Sequence, residues 1–228
     1  MKRVTMILVC LVVAASAFGQ QFTFGGKYSN YETELSFGGG GFDTDRQSSL
    51  GFIMEYRNER FVMKGLLDHD FESGIGFDFF DLADYSRDRI EISAGYGVTP
   101  NVDLDFAVRI DSMSVDSFLF DDFLGGTDLD QEAVGVGATF HSPPDAEVGY
   151  FLMGRAYIGN AEFDLGVDAD ADTTGFRIEG GVPIRLGSTN WKIVPGVEWE
   201  RFETEDFLGS DGFEFETNRL VLAFTYTM

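Results

Sequence analysis

From Arg89 to Asp111 the chain alternates with a period of two. Ile90, Ile92, Ala94, Tyr96 and Val98 fall on one face, and Arg89, Glu91, Ser93, Gly95 and Gly97 on the other. That spacing belongs to a strand, not a helix. Thr99, Pro100 and Asn101 interrupt it, and it resumes with Val102, Leu104, Phe106, Val108 and Ile110 against Asp103, Asp105, Ala107, Arg109 and Asp111. The pattern predicts a β-hairpin with a short connection. Each arm holds about the 9–11 residues that a tilted strand needs to cross a bilayer. One face is greasy and the other carries charge and glycine, which suits a wall between lipid and a polar lumen.

The same period recurs along most of the chain. Strands are expected at Gln21 to Tyr31 (Phe22, Phe24 and Tyr28 in phase), Ser49 to Arg57 (Leu50, Phe52, Met54 and Tyr56 outward) and Phe61 to Asp68. After the central hairpin come strands with Val134, Val136 and Phe140 in phase, with Arg155 inward and Leu152 and Ile158 outward, and with Phe176, Ile178, Val182, Ile184 and Leu186 outward. Trp191, Ile193, Val197 and Trp199 define the next, and Leu220, Leu222, Phe224, Tyr226 and Met228 the last. This makes ten strands, or eight if the first or ninth is discounted. Their connections alternate long and short throughout. An up-and-down antiparallel barrel with both termini in the periplasm requires that alternation, and closure leaves no unpaired strand edge in lipid. The expected fold is all-β, a transmembrane β-barrel. Pro183 and Pro195 each remove a ladder donor, and a bulge is expected there.

The first 19 residues read as a signal peptide: Lys2 and Arg3, an apolar core from Met6 to Ala15, then Ala15-Ser16-Ala17. The barrel domain is then 20–228. Cys10, the only cysteine, lies inside that core behind Leu8 and Val9, so neither a lipid anchor, a disulfide nor a thiolate metal site is expected. Cleavage leaves 14 basic residues against 39 acidic ones. Such a chain repels nucleic acid.

The hairpin, with Tyr96-Gly97 leading into Val98-Thr99-Pro100-Asn101, resembles the periplasmic hairpins of small bacterial outer-membrane β-barrel proteins. The alternation from Leu220 to Met228 is similar to their C-terminal insertion signal, departing from it in ending on Met228 where an aromatic is usual. The resemblance implies the cell outer membrane as location and outer-membrane lipid and lipopolysaccharide as surroundings. It also implies periplasmic chaperones and the barrel assembly machinery as partners in biogenesis. Periodicity alone also fits a soluble, lipocalin-like barrel with the faces reversed; the signal peptide, the terminal pattern and the charged opposite faces favour lipid outside.

Several residues are candidates for chemistry. The expected lumen face carries Glu55, Arg57, Lys64, Asp68, Arg89, Glu91, Asp103, Asp105, Arg109, Arg155, Arg177, Glu179, Arg185, Glu198 and Arg219. Buried charges must be paired, so a salt-bridge network is expected to fill so narrow a barrel. Gly95, Gly135, Gly137 and Gly181 could instead leave a narrow pore. The long connections 38–48, 69–88, 112–130, 159–174 and 203–217 hold 2, 6, 5, 5 and 6 acidic residues, with only Arg46 and Arg87 as bases. They can attract divalent cations that bridge to lipopolysaccharide phosphates; no other cofactor is implied. Asp168, Asp170 and Asp172 with Glu179 have the spacing of a calcium loop, although Thr173 stands where that loop needs glycine.

The loops also hold Phe77, Phe79, Phe80, Phe118, Phe120, Phe123, Phe207, Phe213 and Phe215, as strand extensions or as a binding surface. His69, between Asp68 and Asp70 at the outer rim, and His141 at the periplasmic rim lie about a membrane thickness apart and cannot share a site. Ten-stranded outer-membrane proteases and lipid A-modifying barrels make an enzyme conceivable through His69, but no full motif is present. The expected role is structural, or surface interaction through acidic, aromatic outer loops. A narrow cation-preferring channel is the alternative, and an outer-membrane hydrolase the second.

Overall fold

The computed structural model describes residues 21–37, 40–43, 46–71, 73–77, 80–117, 127–143, 145–164, 168–204 and 213–228. Ten long strands build it: β1 (Gln21–Phe37), β2 (Gln47–Arg57), β3 (Phe61–Asp70), β4 (Phe80–Thr99), β5 (Val102–Ser117), β6 (Thr127–His141), β7 (Phe151–Asp164), β8 (Asp168–Gly181), β9 (Trp191–Thr204) and β10 (Phe213–Thr227). Each pairs antiparallel with the next, and β10 returns to β1 from Thr23↔Thr227 to Phe37↔Phe213. The result is a closed ten-stranded barrel, not an eight-stranded one. The expected signal peptide and most of the loop phenylalanines lie outside the described residues.

Tight turns close one end. Asn58 accepts the Arg60 and Phe61 amides on its side-chain oxygen at 3.2 and 2.8 Å, and Gly187 takes a φ of 62° in the β8–β9 turn. Short turns face the periplasm in such barrels, and this end is called periplasmic below. At the other end the strands run further than expected. β4 begins at Phe80, β5 reaches Ser117 and β8 begins at Asp168. Sequence placed these stretches in loops, because their hydrophobic period of two is weak; backbone pairing continues through them all the same.

The faces settle inside from outside. Ile92, Leu104, Phe106 and Val136 are half-exposed or more on the outer wall, while Arg109 is fully buried in the lumen. An apolar belt of this extent has no place in water. It ends in step around the barrel: beyond Leu67, Ile90, Ile110, Val134, Ile158 and Phe176, the next outward residues are His69, Asp88, Ser112, Glu132, Asn160 and Thr174. Aromatic residues edge it at the periplasmic side, where Trp191 stacks on Phe224 at 4.8 Å between centroids.

Pro183 and Pro195 open the ladder without a bulge. Gly181 pairs with Gly196 and Ile184 with Ile193, so no residue is inserted between them. The carbonyls of both prolines still accept, from Gly149 and Val182 at 2.8 and 2.9 Å.

Candidate functional site

The lumen is crossed by a connected ion-pair network midway along the barrel. Arg89, from β4, binds Glu198 at 2.8 Å, Glu200 at 3.1 Å and Asp68 at 2.7 Å. Lys27 from β1 meets the same Asp68 at 2.9 Å and Glu198 at 3.4 Å. Below them Arg177 joins Glu198 to Glu91 at 2.8 and 3.0 Å. Glu91 also pairs with Arg155 and accepts from Tyr157 at 2.8 Å, and Arg155 reaches Asp105 at 2.7 Å. Above them Arg109 pairs with Asp111 and, at 2.9 Å, with Glu200; Arg87 holds Glu200 at 2.7 Å and Asp111 at 2.8 Å. Arg219 lies among Asp68, Asp70, Glu198 and Glu200 at 3.5 to 3.7 Å. Seven cations and seven carboxylates are thus buried together, in balance. Charges buried to this degree are tolerable only when so compensated.

Aromatic rings cap the outer end of this network. The guanidinium of Arg87 lies 4.5 Å from the Phe215 ring centroid, that of Arg109 4.4 Å from Phe202, and that of Arg219 4.1 Å from Tyr31. Such stacking on a cation is favourable when desolvated. The lumen glycines leave no pore there. The space beside Gly135 is taken by the Tyr157 ring and that beside Gly137 by the Arg155 side chain; a Cβ at Gly175 would stand 2.2 Å from the Phe202 ring. Gly95 abuts Asp105 and Val62, and Gly181 abuts Phe151.

At the periplasmic end Arg57 binds Asp103 at 2.7 Å and Glu55 at 3.0 Å, and His141 meets Asp103 at 3.2 Å. Among the described residues Lys64 reaches only Thr139, at 3.5 Å, and Glu179 pairs with Arg177. Between this rim and the network lies a cavity of about 290 Å³.

The structure places most expected lumen residues inside the barrel, and adds Lys27, Arg87, Asp70, Asp111 and Glu200 to the network. Arg185 is corrected: it sits on the short Ile184–Arg185 strand at the periplasmic rim and binds the Asp145 carbonyl at 2.6 Å, away from the network. Arg87 and Phe215, assigned to loops by sequence, face the lumen. Asp111 and Glu200 were legible as polar-face residues of their strands.

The calcium-loop reading fails on geometry. Asp168, Asp170 and Asp172 belong to the extended strand β8 together with Glu179. Eleven residues at about 3.3 Å each separate Asp168 from Glu179, so they cannot wrap one ion. Asp170 and Asp172 are exposed, whereas Glu179 lies on the lumen face. Among the described residues no group of three or more His, Cys, Asp or Glu could hold a metal ion.

His69 stands exposed at the outer rim. Alternation turns Asp68 and Asp70 into the lumen and His69 outward, where its Nδ1 meets Asp88 at 2.5 Å on the exposed wall. That hydrogen bond raises the His69 pKa above the ordinary imidazole value, with the charges of Asp88 and Asp70 adding to it.

The same fold is found in solved outer-membrane barrels. The outer-membrane protease OmpT of Escherichia coli aligns with a TM-score of 0.59 at 6% identity, over 91% of this chain and 97% of that one. The translocator domain of the autotransporter NalP from Neisseria meningitidis aligns at 0.52 with 10% identity, over 99% and 95%. Neisserial surface protein A shares 15% identity over 90% of this chain and 96% of that one, at a TM-score of 0.42. No family model matches the chain, and no curated protein matches its sequence. By fold, the chain is a small closed β-barrel of the kind found in these outer-membrane proteins.

Proposed function

We propose that this is a plugged barrel of the outer membrane that acts at its extracellular end, where its acidic wall binds divalent cations and, through them, lipopolysaccharide phosphates. The observation that carries this reading is a row of carboxylates. Asp130, Glu162 and Asp170 stand opposite one another on β6, β7 and β8, above the lipid belt. All three are exposed, and among the described residues none is paired with a base. Like charges directly opposite on a sheet destabilise it. Elsewhere the wall relieves the same arrangement: Glu203 opposite Glu214 is bridged by Arg201. The three do not converge on one point, so a divalent ion would bridge a neighbouring pair, Asp130 with Glu162 or Glu162 with Asp170, and phosphate oxygens would supply most of its coordination.

The filled lumen argues against permeation as the main task, and the outward position of His69 against the hydrolase reading. Lipopolysaccharide retention by the detergent-refolded chain from residue 20, with magnesium and with chelator, is the decisive test. Retention should need the metal and be lost when Asp130, Glu162 and Asp170 become amides. Metal-independent binding, or an unchanged triple variant, would sink the reading. Discrete cation-selective steps in planar bilayers would establish the channel instead.

A further inference from the structure

The periplasmic half of the lumen differs from the plug above it. Its wall carries small inward residues, among them Thr23, Ser93, Ala223 and Thr225, and their small size leaves the 290 Å³ cavity. The cavity runs from rim residues Gln21, Thr227 and Pro143 up to Lys27, Glu91 and Arg177, where the ion-pair network ends it. It is therefore a blind vestibule opening toward the periplasm. Six basic side chains line it, Lys27, Arg57, Lys64, Arg155, Arg177 and Lys192, against three carboxylates, Glu55, Glu91 and Glu179. This cationic excess sits in a chain of net charge −23. Most of these cations already have carboxylate partners, but among the described residues Lys64 makes only the long contact to Thr139 Oγ1. The buried Nε of Arg177 also lacks a hydrogen-bond acceptor among the described residues. Between the charges the walls are apolar, with Ile53, Leu66, Met153 and Val221.

A pocket of this kind, mostly apolar with a few convergent polar groups, is the usual form of a small-molecule site. From these observations we infer that the vestibule binds a small organic anion from the periplasm, with a phosphate or carboxylate head held by Lys64 and a short apolar body against the wall. The inference is independent of the acidic outer wall.

The test is calorimetric titration of the barrel in phosphatidylcholine nanodiscs with hexyl phosphate, with inorganic phosphate and hexanol as part-probes and empty nanodiscs as blank. Hexyl phosphate should bind saturably and more tightly than either part-probe. Lys64→Met should weaken it at least about tenfold and Lys64→Arg should keep it, as expected of a charge-assisted contact. Should Lys64→Met fail to fold, Ala223→Phe, which fills the cavity, is read instead and should abolish binding. Heat exchange no greater than the blank, equal binding of hexanol, or undiminished binding by Lys64→Met or Ala223→Phe would overturn the proposal.

Discussion

Arg89 donates to Glu198 at 2.8 Å across the lumen, joining β4 to β9, two strands that share no backbone ladder. Through this and its neighbouring pairs the inside of the barrel is cross-braced by side chains, while the wall itself is held by the backbone.

Removing one carboxylate from that brace strands its partners. Glu200 serves Arg87, Arg89 and Arg109 at once. Glu200→Ala should cost about 3–5 kcal/mol by urea unfolding in detergent micelles, the range for breaking a buried pair on one side. Adding Arg109→Met to a Glu200→Met variant should recover most of the loss, because charge balance returns. A double variant as unstable as the single would show that shape, not compensation, governs the site.

At Gly175 the Phe202 ring of the plug lies close against the wall. Gly175→Val forces the Phe202 ring off its place above Arg109, and overpacking of this sort costs about 1–3 kcal/mol. The expected reading is a lower thermal midpoint, with bilayer current noise above that of the unaltered chain.

Lipid depth should be visible in single substitutions. Phe106→Arg, at mid-belt, should destabilise by about 2–4 kcal/mol. Glu132→Arg, on the outward face of β6 beyond Val134, should change stability little. Equal costs at the two positions would mean that the belt is misplaced.

His69 gives a pH signature. Its pKa is raised by Asp88, so the protonated form is favoured in the folded state. Whatever stability the pair contributes is complete below the ordinary imidazole value of about 6.5 and fades as pH rises through the raised one. On a wall this exposed the contribution is small. Imidazole NMR titration should show an elevated midpoint that falls back in Asp88→Asn; an unmoved midpoint in that variant would remove Asp88 as the cause.

The transmembrane wall was legible because lipid and lumen impose opposite demands on alternate residues. In the β4–β5 hairpin every face from Ile90 to Ile110 follows from the alternation. Placing Arg155 inward settled β7, and with it Met153 and Tyr157 entered the lumen although both are apolar. Above the membrane water lies on the outer side, and the demand lapses. Arg87 and Phe215 accordingly read as loop residues in sequence, and the two-residue spacing of Asp168, Asp170 and Asp172 reads as a ligand loop although it is the period of a strand. The ion-pair network was foreseen as a class of interaction. Its particular pairs were not, because residues as distant in sequence as Lys27 and Glu198 meet only when the cylinder closes.

That closure has a consequence for how the protein can be made. Thr23 opposes Thr227, so the seam between β1 and β10 joins segments about as far apart as this chain permits. The final hairpin has to be delivered before the first strand can find its neighbour, and until then both strands are open templates for pairing with another chain. Contacts so remote in sequence form slowly. The barrel therefore cannot close before its last strand has been made, and its shape is complete only when the two ends of the chain are brought together.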